Sequence, residues 1–389
     1  MQFAIIPGDG IGKEVTAEAV RVLARVADVF GRAFHFEHLP WSADYYLESG
    51  ITLPPNGYAM LRDDFDAVFI GALGDPRVPD NRHARDILLG TRFELDLYVN
   101  YRPVKLLHER LCPLKNRTPK EVDFTVFREN TEGLYVGVGG RFKAGTRDEI
   151  AIQEELNTWK GVDRIVRYAF EFASERKLTK VCMADKSNAM QQGHALWQRV
   201  FREVAAEYPS IEAMHYYIDA LAMYMVLDPG QFEVIVTNNL FGDIITDLGA
   251  TFQGGLGMAA SGNIHPGKTS MFEPVHGSAP KFAGKNVANP IGAISSAALM
   301  LATLGLKTEA AAIDAAVLDA VVKNQVTQDI GGTLGTRAAG EFVTSSQLLD
   351  EFVKHAPKDW RQKNLQIVLH TNVVNEIPGL PAIVAEHYW

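Results

Sequence analysis

The hydrophobic positions of this chain fall into two alternating rhythms. Short apolar runs (AIIPG near the start, then FDAVFIGAL, VDFTVF, KVCMAD and FEVIVTN) are each followed by Gly, Asp or Asn punctuation and read as buried strands. Other segments carry apolar residues at helical spacing, the first being KEVTAEAVRVLARVADVF directly behind AIIPG. This alternation over most of the length predicts an α/β protein with a largely parallel central sheet. Two segments read differently. AGTRDEIAIQEELN mixes periods and suggests an arm, while residues 288–306 form an apolar, small-residue helix suited to a core or an interface. No internal repeat or low-complexity stretch occurs.

The junction after the first strand, Gly8-Asp9-Gly10-Ile11-Gly12, sits where a dinucleotide-binding loop would lie. A Rossmann fingerprint needs G-x-G-x-x-G, and here Lys13 occupies the position of the third glycine. The context suits a phosphate loop and the spacing does not. Composition narrows the rest. At 389 residues the chain is sized for one large or two moderate domains, and 47% hydrophobic with 22% charged residues is ordinary for a globular core. A net charge of −9 argues against nucleic-acid or membrane-surface partners. The two cysteines, Cys112 and Cys182, have no metal-ligand spacing and point to a reducing compartment. No signal-peptide pattern or membrane-length apolar run is seen, so the expected location is cytoplasmic.

Candidate chemistry concentrates in TNNLFGDIITDLGATFQGGLGMAASGNIHP. Asp243 and Asp247 stand four apart in a helical pattern, so both carboxylates share one face and repel unless a cation lies between them. A hard divalent cation, Mg²⁺ or Mn²⁺, takes oxygen ligands and leaves positions for substrate. Asp219 is a candidate third ligand, although an isolated D-x-x-x-D is more often a helix cap plus a solvated residue. Upstream, Arg92, Arg102 and Arg128 suit bidentate capture of carboxylates. Tyr135 follows Arg128 closely enough to supply a phenol proton. Lys186 follows an apolar strand, where partial burial favours a neutral amine and hence a base. Residues 272–290 make a long loop of the kind that wraps a ligand.

Taken together and in order, IPGDGIGKEV, LDLYVNYRPVK, FRENTEGLYVG, DKSN, FGDIITDL, GGLGMAASGNI, FEPVHGSAP and DIGGT resemble the β-decarboxylating dehydrogenases, which include the isopropylmalate, isocitrate, homoisocitrate, tartrate and D-malate enzymes. The resemblance runs from residue 1 to about residue 350. It implies the non-Rossmann two-domain fold of the isocitrate/isopropylmalate dehydrogenases. One domain would take residues 1–101 with 254–350, the other 102–253, and residues 351–389 would be an extension whose Trp360, Leu380 and Trp389 have no family counterpart. It further implies a homodimer, clasped by an arm from about 136–158, with shared active sites: Lys186 and Asp219 serve the partner's cleft, Asp243 and Asp247 their own. Lys186 would be the base, Tyr135 the acid, Asp219, Asp243 and Asp247 the metal ligands, and Arg92, Arg102 and Arg128 the carboxylate clamps. The glycine turn with Ile11 would line the cofactor cleft, and Glu273, His276, Gly277, Ser278, Ala279, Lys281, Phe282, Asn289 and Asp329 would complete the cofactor site. A non-catalytic regulatory subunit, as in some isocitrate dehydrogenase oligomers, would lack metal or base residues, and all are present here.

Within that family, the residues before Arg92 meet the variable substituent of the substrate, and here they include Leu88 and Leu89. Burying an unpaired carboxylate against leucines costs several kcal/mol, whereas three buried carbons of an isopropyl group contribute about 2 kcal/mol. The leucines therefore favour isopropylmalate. RENTEGLYVG leans instead towards isocitrate and homoisocitrate enzymes, and tartrate and D-malate enzymes also carry leucines there. For the cofactor, NAD-using members commonly read HGSAPD, and this chain has Lys281 at the aspartate position, followed by Phe282. Asp329 in TQDIGGT matches NAD enzymes. The expectation is use of NAD with NADP tolerated.

Overall fold

A computed structural model of the protein describes residues 1–347 and Leu349; the expected extension over 351–389, with Trp360, Leu380 and Trp389, lies outside the described residues. The strands are β1 (Gln2–Gly8), β2 (His35–His38), β3 (Ala67–Ala72), β4 (Val99–Lys105), β5 (Asp123–Glu129), β6 (Gly139–Phe142), β7 (Ile150–Gln153), β8 (Lys180–Asp185), β9 (Glu212–Tyr217), β10 (Val234–Thr237), β11 (Ala260–Ile264) and β12 (Ser270–Pro274). Ten of them form one sheet in the order β2-β1-β3-β12-β11-β4-β5-β10-β8-β9.

Both flanks of the sheet are parallel, and only its middle is antiparallel: β12 with β11, β11 with β4, and β4 with β5. The flanks follow the hydrophobic runs. β1 and β3 are apolar at consecutive positions because parallel strands are covered on both faces. Phe3, Ile5, Ala67 and Phe69 enter one core, while Ala4, Ile6, Val68 and Ile70 enter a second core on the opposite face. Helix Gly12–Phe30 covers the first of these with Val15, Ala19, Val22, Leu23 and Val26. The expected helix over 288–306 is Ile291–Thr303, with Pro290 in the N-cap position. Its burial is nearly all-round, as its composition suggested. The arm segment becomes an antiparallel hairpin of β6 and β7, exposed along both strands. Among the described residues, no helix is long and apolar enough to cross a membrane.

The glycine turn after β1 packs against protein backbone. Gly10 has φ +55°, and a Cβ there would lie 2.0 Å from the Ser278 carbonyl oxygen. That same oxygen accepts the Ile11 N–H at 2.8 Å. Asp9 is buried beneath the turn, where its carboxylate accepts the N–H groups of Ala43 at 2.7 Å and Gly74 at 2.8 Å and meets His83 Nε2 at 2.8 Å. Glycine is therefore needed so that the 276–282 loop can seat directly on the turn. Gly10→Ala adds a left-handed backbone penalty to a backbone clash, together about 2–4 kcal/mol. Urea denaturation of the variant should show that loss, and an unchanged midpoint would mean that the loop does not rest on Gly10.

Candidate active site

The antiparallel middle of the sheet presents the arginines. Asn100 on β4 pairs in register with Arg128 on β5, and Arg102 lies two residues further along β4. Arg92 comes from the short helix Thr91–Glu94, which continues a π-helical turn over Arg85–Gly90. All three arginines are buried. Arg128 donates from Nε and Nη2 to Asn239 Oδ1, at 2.8 and 2.6 Å, and from Nη1 to Asp243. Arg102 Nη1 donates to Thr246 Oγ1 at 2.6 Å, with its guanidinium 3.7 Å from Asp243 and 3.8 Å from Asp247. Arg92 Nη2 donates to Glu273 Oε1 at 2.9 Å. Among the described residues, the buried Nε atoms of Arg92 and Arg102 have no partner.

The helix Asn239–Phe252 supplies the opposing charge. Asn238 caps its N-terminus by accepting the Phe241 N–H at 2.9 Å. A Cβ on Gly242 would lie 2.6 Å from the Arg128 side chain, so glycine lets the guanidinium stem pass against the helix. One turn apart on this helix, Asp243 and Asp247 project towards the arginines, and the Tyr135 hydroxyl donates to Asp243 Oδ2 at 3.0 Å. Burial pushes the Asp243 carboxyl up, but Arg128, Arg102 and the tyrosine hydrogen bond outweigh it and hold the group below its usual range. Asp247, with no hydrogen bond among the described residues, is raised by burial. Burial likewise raises the Tyr135 phenol. For Arg128, burial and the neighbouring Arg102 bring the guanidinium down to about 10. Like charges gathered at this cost, with donors unpaired, form a receptor for an anion.

Lys186 and Asp219 form a separate pair. Lys186 Nζ lies 2.6 Å from Asp219 Oδ1, at the start of helix Ile218–Leu227, and that bond holds Asp219 below the usual carboxylate range. Among the described residues, no group of three His, Cys, Asp or Glu side chains is placed to hold a metal, so Asp219 does not join Asp243 and Asp247 within one chain. Asp243 and Asp247 alone still fit a hard cation: they are oxygen donors on one helix face, and such ions complete their shell with substrate and water.

The cofactor candidates separate in the same way. Ile11, Ser278 and Ala279 lie where the 276–282 loop meets the glycine turn, with Ala279 at φ +38°. His276 carries a buried Nε2 without a partner, and burial lowers its pKa. Gly277 and Lys281 are exposed, and the Lys281 ammonium lies 4.7 Å from the ring centre of Phe282. Asn289 donates to Asp329 Oδ2 at 3.0 Å, which ties the far end of the loop to the TQDIGGT segment. Glu273 stands apart from these residues, buried against Arg92. Of the substrate-selecting leucines, Leu88 packs partly on the second core while Leu89 is half-buried in the π-helical turn.

Several participants carry no sequence signal of their own. Asn239 and Thr246 hold Arg128 and Arg102. Behind Arg92, Glu273 Oε1 also accepts Asn263 Nδ2 at 2.9 Å, and Asn263 Oδ1 accepts Asn100 at 3.1 Å and Asn130 at 2.9 Å. This buried chain of amides crosses β4, β11 and β12. The only available cue was the density of Asn, in TNNLFGD and SGNI, within otherwise apolar runs.

The fold brings three buried arginines beside a pair of aspartates one helical turn apart. The chain belongs to the isocitrate/isopropylmalate dehydrogenase family, whose profile matches residues 2–351. It is 48% identical over 307 residues to a 3-isopropylmalate dehydrogenase of Thermobifida fusca (strain YX), covering 78% of this chain and 86% of that protein. It is also 45% identical over 348 residues to a probable tartrate dehydrogenase/decarboxylase of Bacillus subtilis (strain 168), covering 88% and 97%. A crystal structure of isocitrate dehydrogenase from Methylococcus capsulatus superposes with a TM-score of 0.80 at 33% identity, covering 90% of this chain and 99% of that one. The protein is thus a decarboxylating dehydrogenase, and relatives with different named substrates stand at similar identity.

Next to Arg128, Glu129 is buried and accepts Thr131 N–H, Thr131 Oγ–H and Glu132 N–H at 3.0, 2.7 and 2.7 Å, which shapes the turn leading to Tyr135. Burial raises its pKa from 4.5 to about 7. Between these values the folded protein retains a proton that the unfolded chain has released, so this contribution to stability falls as pH rises and is fully lost above the window. Glu129→Gln should flatten the pH dependence of the unfolding constant between those limits, where wild type loses up to about tenfold per pH unit from this group. Parallel urea titrations at several pH values check it; identical slopes would place the Glu129 proton elsewhere.

Proposed function

We propose that the protein oxidises and decarboxylates 3-isopropylmalate, with NAD as hydride acceptor and Mg²⁺ or Mn²⁺ bound at Asp243 and Asp247. The observation that carries this reading is the cluster of Arg92, Arg102 and Arg128 facing those aspartates, with Leu89 in the turn that runs directly into Arg92. The three arginines bind the substrate carboxylates, and the unpaired Nε groups of Arg92 and Arg102 are donors ready for them. Leu89 faces the branched aliphatic substituent and excludes a third carboxylate there. When bound, the dinucleotide accepts hydride from C2 and the cation polarises the oxygen on that carbon.

Lys186 removes the proton of the 2-hydroxyl as C2 is oxidised. After carbon dioxide leaves, the Tyr135 hydroxyl returns a proton to C3. Because Lys186 and Asp219 pair with each other away from Asp243, we assign them to the cleft of a second copy. Support for such a dimer comes from the apolar surface of the hairpin, where Phe142, Ile150 and Ile152 are exposed, and from Met223, Leu227 and Ile244 exposed on the two neighbouring helices. The two domains would meet at β4, residues 1–101 with 254–350 forming the cofactor side and 102–253 the dimer side.

Two experiments test this reading. A panel of 2-hydroxy acids with both nicotinamide dinucleotides should favour 3-isopropylmalate over isocitrate, tartrate and D-malate by well over tenfold in kcat/KM. Better turnover of tartrate would move the protein towards its Bacillus relative, and no turnover of any would end the proposal. For the metal, Asp247→Asn is cleaner than a change at Asp243, which also holds Arg128 and Tyr135. It should lose at least a hundredfold in kcat with an unchanged melting temperature; full activity in excess chelator would remove the cation.

Cofactor choice turns on Lys281, which cannot accept hydrogen bonds from ribose hydroxyls and attracts a 2′-phosphate. Lys281→Asp should raise the NAD-to-NADP ratio of kcat/KM by about ten- to a hundredfold, the consequence of reversing one charge beside a phosphate. An unchanged ratio would show that Lys281 does not face the ribose.

A further inference from the structure

The loop that carries Lys186 is held by a buried polar chain that lies outside the chemistry described above. The Lys186 backbone N–H donates to His194 Nδ1 at 2.7 Å. An imidazole nitrogen that accepts such a bond carries no proton, so the neutral ring has its hydrogen on Nε2. That nitrogen lies 3.2 Å from Glu155 Oε2 and 3.2 Å from Asn238 Nδ2, and only the carboxylate can accept its hydrogen. Glu155 Oε1 in turn accepts Asn238 Nδ2 at 2.7 Å, and Asn238 Oδ1 caps the helix that bears Asp243 and Asp247. His194 is fully buried, with Phe241 edge-on to its ring at 5.5 Å between centres.

Each link has a directional reason. The Lys186 carbonyl is already used twice, by the N–H groups of Ala189 at 2.9 Å and Met190 at 2.8 Å, which close a tight turn after β8. The N–H has His194 as its acceptor, and Glu155 fixes the ring's tautomer and angle. An aliphatic side chain at 194 leaves the part-buried Lys186 N–H without its acceptor, and the turn is then free to rotate the lysine away from its working position.

We propose that His194, oriented by Glu155, is a positioning residue for Lys186, and that Glu155 and Asn238 anchor the lysine loop and the aspartate helix to one point. This rests on the assignment of Lys186 as base. His194→Leu removes the acceptor, and His194→Asn restores one, because its amide oxygen occupies nearly the place of Nδ1. Steady-state kinetics on the best hydroxy acid should give His194→Leu a kcat at least tenfold below wild type with KM within threefold, and His194→Asn should recover most of it. Hydrogen exchange of the 181–190 peptide, followed by mass spectrometry, reads the anchor without turnover. It should accelerate at least tenfold in His194→Leu and remain near wild type in His194→Asn. Accelerated exchange with kcat within twofold of wild type overturns the positioning role and leaves the proposed reaction standing. Unchanged exchange in His194→Leu overturns the anchor itself. If His194→Leu fails to fold, Glu155→Gln carries the test, with the same direction expected in both readouts and the same results overturning it. A wild-type protein inactive on every hydroxy acid overturns the proposed reaction and the positioning role with it, whatever the exchange shows.

Discussion

Three guanidinium groups cannot be buried side by side unless something pays for their desolvation and mutual repulsion, and most of the central architecture follows from that constraint. Counter-charge arrives from two directions. Asp243, with Asp247 beyond it, comes from a helix on one side of the cluster, and Glu273 comes from β12 on the other. Asn239 accepts the Arg128 donors that Asp243 does not take, and Thr246 accepts Arg102 Nη1 at hydrogen-bond distance, where Asp247 stands off at 3.8 Å. A parallel strand pair could not easily place Arg102 and Arg128 this way. The antiparallel β4–β5 pairing sets Arg128 opposite Asn100 and Arg102 opposite Val126, so residues of both strands reach the same end of the sheet. The three antiparallel pairings interrupt an otherwise parallel sheet at the place where the charges sit.

This explains why some of the molecule was legible in its sequence and some was not. The flanking strands β1, β3, β5, β8 and β10 were read directly, because strands covered on both faces are continuous apolar runs. Strands β4, β11 and β12 escaped the same reading, since VNYRPVK carries a proline and an arginine and ASGNI is small and polar. Their hydrophobic signal is weak because their side chains serve the site. The candidate site residues stood out by the opposite route: Asp243 and Asp247 by helical spacing, the arginines by the chemistry of carboxylate capture. What held them, Asn239, Thr246 and Asn263, was hidden, because an amide in a loop and an amide in a buried network look alike in sequence. The edge strands β2 and β9 were missed for a plainer reason, being mostly exposed.

The glycine turn shows why a strand–turn–helix context alone does not make a phosphate loop. Its spacing already failed the Rossmann pattern at Lys13. The structure supplies the positive reason: Gly10 is small so that Ser278 can approach, and Asp9 is buried so that three separate segments converge beneath it. A loop resting on that turn is fixed at one end, while Asn289 and Asp329 fix the other. Lys281 and Phe282 between these anchors, and Gly277 just before the first of them, are exposed.

The two carboxylates of the aspartate helix have been given unequal work. Asp243 is committed to Arg128 and to Tyr135, so it orients a guanidinium and a phenol whatever else it binds. Asp247 makes one long ionic contact and is raised by burial, which leaves its charge the less satisfied of the two. A cation arriving at this face would therefore gain most from Asp247 and perturb the arginine cluster least. Asp243 links the Tyr135 phenol to the Arg128 guanidinium, so a charge placed beside it would be felt by both. The buried asparagine chain behind Arg92 extends this rigidity across the sheet, and it leaves the substrate as the group best able to satisfy the remaining donors.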